Sequence, residues 1–68
     1  MTNAQTEALA IADRHADENH TRAHMFLNDL RTAESALSTI GAAAGYIDAV
    51  AECTRWRAIA ETIRAVAS

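Results

Sequence analysis

No proline interrupts this chain, and its only glycines are Gly41 and Gly45, while 17 of its 68 residues are alanine. Proline breaks helices and glycine weakens them, whereas alanine has the highest helix propensity of any residue. Alanine and glycine are also poor strand formers. The sequence therefore predicts an all-α fold: a single domain over residues 1–68, built as a small bundle of two to three helices and completed by homodimerisation.

The expectation of a partner copy follows from size. A chain this short buries only about 60% of the surface its unfolded form exposes. Leu, Ile, Val, Phe, Trp and Tyr together number 14, against 17 Ala, so much of any core consists of methyl groups that stabilise only where helices approach closely. Ordering costs roughly 1.5 kcal/mol per residue while apolar burial returns about 25 cal/mol per Å², and in small scaffolds the two nearly cancel. Self-association would offset the shortfall.

Helix 1 is expected over about residues 3–18, with Thr2 as N-cap and Gln5 at capping-box spacing. At 100° per residue, Ala4, Ala8, Leu9, Ile11, Ala12, His15 and Ala16 fall within an arc of about 160°, which gives one buried face. Asp17-Glu18-Asn19-His20-Thr21 contains no apolar side chain and several capping types, so the first turn is expected there. Helix 2, about 20–40, carries Phe26, Leu30, Ala33, Leu37 and Ile40 at alternating spacings of 4 and 3, the repeat continuing to Ala44. A break is expected at Gly41–Gly45, since glycine suits helix ends. Helix 3, about 46–67, carries Tyr46, Ala49, Cys53, Trp56, Ala60, Ile63 and Ala67 at the same repeat. Ile47 and Val50 widen this stripe on one side and Ile59 and Val66 on the other, so that one helix can touch two neighbours.

The residues that could carry chemistry are few. His20 and His24 lie at i and i+4, where two imidazoles share a helix face and could share a metal ion, with Asp17 one turn before them. A metalloprotease helix needs Glu directly after its first His, and Thr21 stands there. Two histidines also fall short of a structural zinc site unless Asp17, Glu18 or Cys53 joins them. His15, on the apolar arc, reads as a core-edge ring that needs a hydrogen-bond partner, or as a pH-sensitive oligomer contact. Cys53 reads as buried filler, since no Cys-x-x-Cys partner accompanies it. Trp56 between Arg55 and Arg57 reads as a core or dimer anchor whose flanking arginines could contact a partner. Small residues at Gly41 and Gly45 suit a turn or a tight crossing, and no phosphate-loop lysine follows them.

Charge and length narrow the function classes. The formal charge is −3, with nine acids against six basic residues, all of them Arg. Backbone binding to nucleic acid needs concentrated positive charge, so that partner is disfavoured. The acidic excess sits in the first 20 residues. No stretch reaches the roughly 20 apolar residues of a membrane span, and no basic start precedes an apolar run. A cytoplasmic protein without a membrane partner is expected, and one free thiol suits that compartment.

The function these features imply is a small, acidic helical module for protein–protein interaction. It would act as an adaptor or regulatory subunit through a folded surface, without catalysis or cofactor, as a homo-oligomer that also binds a protein partner. Phe26, Leu30, Leu37, Ile40, Tyr46, Trp56 and Ile63 are the expected core or interface residues, and Arg55 and Arg57 the expected partner contacts. Replacing Leu30 or Leu37 with Ala would cost about 2–5 kcal/mol if they are fully buried. One alternative is a metal-binding protein or metal-dependent enzyme using a divalent ion at His20, His24 and Asp17. A DNA-binding transcriptional regulator is the other, although no short helix carries clustered arginines.

Overall fold

The computed structural model describes residues 1–68. It consists of two long helices, α1 (Asn3–Thr32) and α2 (Ala36–Ala67), joined by a three-residue turn. The helices pack antiparallel as a hairpin 50 Å long and 13 by 12 Å across. The register is visible in three cross-helix contacts: Asp13 with Arg64, His15 with Trp56, and Phe26 over Gly45.

α1 begins where the sequence predicts. The Gln5 amide donates to Thr2 Oγ1 at 3.0 Å, and the Thr2 amide donates to Gln5 Oε1 at 2.8 Å. Both ends of the box are closed, which satisfies amides that a helix start otherwise leaves open. The helix then runs straight through Asp17–Thr21, where a turn was expected. The reason is the position of Asn19. Gln5, Leu9, Ala12, Ala16, Asn19, Ala23, Phe26, Leu30 and Ala33 form one unbroken repeat of alternating 4 and 3, so the polar run occupies an exposed face with Asn19 alone turned inward. Asn19 is the one buried polar residue. Its Nδ2 donates to the His15 carbonyl and its Oδ1 accepts from Arg22 Nη1, both at 2.8 Å. A buried amide satisfied within its own helix does not interrupt it.

The chain reverses instead at Ala33-Glu34-Ser35. Ala33 leaves α1 in an extended conformation, φ −64° and ψ 133°. Ser35, at φ −127° and ψ 158°, is the N-cap of α2. Its Oγ accepts from the Ser38 amide at 3.0 Å, and its own amide donates to Ser38 Oγ at 3.2 Å. This is a capping box with Ser in the place usually held by Glu or Gln. α2 continues without a break through Gly41–Gly45, and neither glycine has positive φ. The three alanines between them favour the helix enough to carry both glycines, each at about 1 kcal/mol.

The three expected helices at 3–18, 20–40 and 46–67 are thus two. The seam read from Phe26 to Ala44 crosses the real turn, which resets the helical phase. Phe26, Leu30 and Ala33 belong to the α1 seam, whereas Leu37 and Ile40 are 82% and 65% exposed. The cost foreseen for replacing a fully buried Leu37 therefore does not apply to the hairpin.

The core between the helices is made of small side chains. Ala12, Ala16 and Ala23 of α1 and Ala42, Ala49, Cys53 and Ala60 of α2 are buried, and no larger side chain is fully enclosed. The seven α2 positions expected to share a stripe face α1, and that stripe begins one step earlier, at Ala42. Leu9, Phe26, Leu30, Tyr46, Trp56 and Ile63 are half-buried along its margins.

Candidate interaction surface

His20 and His24 share an exposed face of α1, with Nε2 atoms 3.2 Å apart and rings in an edge-on arrangement. One ring donates to the other. They flank a shallow cleft of about 130 Å³ lined also by Ala23, Leu27, Tyr46 and Val50. Nowhere in the structure do three or more His, Cys, Asp or Glu side chains come together as a metal-binding group, so Asp17, Glu18 and Cys53 do not complete a ligand set with this pair. Cys53 is buried in the interhelical seam as a free thiol.

His15 does not point to a backbone carbonyl. Its ring stacks on Trp56 across the hairpin, centroids 4.4 Å apart and planes 18° from parallel, and its Nδ1 lies 3.7 Å from Glu18 Oε2. The stack turns Trp56 toward α1 and leaves Arg55 and Arg57 exposed on either side. Arg55 reaches Glu52 at 3.9 Å. The strongest polar tie between the helices is one the sequence reading did not identify: Arg64 Nη2 donates to both carboxylate oxygens of Asp13, at 2.8 and 3.1 Å. Phe26 lies against Gly45, and the Arg22 guanidinium sits 5.8 Å from its ring centre.

The remaining large apolar side chains are not distributed evenly. Leu37, Ile40, Ile47, Val50 and Val66 of α2 are exposed, against Ile11, Met25 and the terminal Met1 before the turn. At 100° per residue, Leu37, Ile40, Ala44, Ile47, Ala51 and Ala58 lie within an arc of about 80°, centred opposite the face that packs on α1. Their spacings are 3, 4, 3, 4 and 7, the same seam repeat that holds the hairpin together. All six are exposed.

α2 therefore carries a second, bare apolar stripe opposite the covered one, unbroken from Leu37 to Ala51 and interrupted by Thr54 and Arg55 before Ala58. Leu37 and Ile40, expected in the seam of Phe26 and Leu30, and Ile47, expected to widen the inner stripe, lie on this outer face instead. The signal that separates them is the exact repeat from Leu37 to Ala58, which becomes visible once Ser35 is recognised as a helix start. No helix of the protein is long and apolar enough to cross a membrane.

Comparison with protein-family models, with curated proteins and with solved structures gives no significant match to this chain.

Proposed function

We propose that this protein is a non-catalytic helical interaction module, an adaptor or regulatory subunit, that docks a partner helix on the outer face of α2. The observation that carries this reading is the bare seam repeat from Leu37 to Ala58, with Leu37 82%, Ile40 65% and Ile47 65% exposed. An apolar stripe at coiled-coil spacing on an otherwise charged hairpin fits a helix laid along it. A reducing compartment such as the cytoplasm suits the single free thiol.

A photo-crosslinking side chain placed at position 40 or 47 and activated in cells tests the reading. Adducts from these positions, and none from a control at the exposed Thr21 of α1, are expected. Absence of adducts from both α2 positions would overturn it.

Metal binding at His20 and His24 is a second reading, favoured by one distance. Two imidazoles on a tetrahedral zinc ion have nitrogens about 3.3 Å apart, and here the separation is 3.2 Å. Titration with zinc, followed by chemical-shift or calorimetric signals that His24→Ala removes, tests it. No heat and no shift at His20 or His24 would set this reading aside.

A further inference from the structure

We infer that the partner on the outer face of α2 is a second copy of this chain, and that the two α2 helices pair antiparallel about a two-fold axis near Ala51. The inference rests on the reading of that face as a docking surface and adds the occupant and its orientation.

Area supplies the first argument. The hairpin exposes 4822 Å², whereas a compact monomer of its mass exposes about 4,200 Å². The excess, roughly 600 Å² per chain, approaches the ~800 Å² that each partner contributes to a standard stable interface. The excess follows from shape, because a two-helix rod has a Cα radius of gyration of 15.4 Å, where about 11 Å is usual for this length. Packing two rods side by side along α2 makes a four-helix bundle and removes that excess symmetrically.

Charge supplies the second and sets the direction. Asp48 and Arg55 lie seven residues apart beside the outer stripe, both exposed. Arg55 makes only a 3.9 Å contact with Glu52, and Asp48 has no ion-pair partner within the chain. In a parallel pair the flank that carries Asp48 and Arg55 would face the opposite flank of the second copy, where Ala43 and Val50 stand, and neither charge would gain a partner. In an antiparallel pair centred near Ala51, Asp48 of each chain meets Arg55 of the other, twice by symmetry. The same register sets Leu37 level with Val66 and brings Ile47 within two residues of the level of Ala58 and Ile40 within two of Ala65 in the second copy. Each large side chain then meets a small one or another exposed apolar group, as interdigitated helices require.

The test is sedimentation or native mass spectrometry of the purified full chain across a concentration series, with circular dichroism to confirm that helix content is unchanged. The expected result is a dimer. Asp48→Arg should raise its dissociation constant by about tenfold, since it replaces two attractions with two repulsions, and Asp48→Arg combined with Arg55→Asp should restore the dimer. Dimerisation that is indifferent to the single reversal, or not recovered by the double one, would overturn the antiparallel pairing. A chain monomeric at all concentrations would overturn the inference. If adducts to a different protein then still formed from position 40 or 47 in cells, the docking reading would stand with another occupant; with no adducts, both would fall.

Discussion

Gly41 and Gly45 are four residues apart on one helix and have opposite roles. A Cβ at Gly45 would meet Phe26 Cδ1 and Cζ at 2.6 Å, while one at Gly41 would meet nothing within 4 Å. Gly45→Ala should therefore displace the Phe26 ring and destabilise the hairpin by about 1–3 kcal/mol in urea unfolding, despite the better helix propensity of alanine. Gly41→Ala should stabilise by up to about 1 kcal/mol in the same measurement, because only propensity changes. A stabilising Gly45→Ala would show that Phe26 does not hold its place against α2. Asp13 and Arg64 make a two-pronged pair, but their side chains are 47% and 52% exposed. Water screens such pairs, so a double-mutant cycle with Asp13→Asn and Arg64→Gln should give a coupling of about 1 kcal/mol or less, falling with added salt.

At the scale of the helices, the seam is held by alanines whose value depends on close approach rather than on side-chain area. Ala49 is fully buried, so Ala49→Leu should lower stability by about 1–3 kcal/mol although leucine is far more apolar, since the added atoms must force the helices apart. An increase in stability on denaturant unfolding would mean that the seam contains unfilled space. The same small-residue chemistry explains which parts of this fold were legible in the sequence. The Thr2–Gln5 cap was readable because its two partners are three residues apart and local. The α2 stripe from Tyr46 to Ala67 was readable because Trp56 and Ile63 mark its phase. The turn was not, because no glycine or proline marks it and Ser38 substitutes for the usual Glu or Gln in its cap. Asn19 concealed the continuity of α1: a polar residue in a seam position reads as a loop until its amide is seen donating to the His15 carbonyl. The outer face was concealed by alanine itself, which fits a buried stripe and an exposed one equally well, so only the turn position tells the two faces of α2 apart.

For the molecule as a whole, no large side chain is fully enclosed within the hairpin. A hairpin held by buried methyl groups gains little from burial relative to the conformational entropy of 68 ordered residues. If folding is completed by a second copy, the unfolding midpoint must depend on protein concentration, since dissociation accompanies unfolding. With an unfolding entropy of about 2.1 cal/mol/K per residue, the midpoint of a two-state dimer of this length should rise by roughly 5 °C for each tenfold increase in concentration. Leu37 is the residue that best separates the two sources of stability, because it is 82% exposed in the hairpin yet stands at one end of the outer stripe. Leu37→Ala should therefore lower the midpoint of concentrated samples while leaving the helix content of the folded state unchanged. Leu30, half-buried against α2, should behave differently. Its replacement by Ala removes packing within each hairpin and should lower the midpoint at every concentration. Thermal melts of the three proteins over a hundredfold concentration range make the comparison. Flat midpoints for the unaltered chain would place all of its stability in the single interhelical seam.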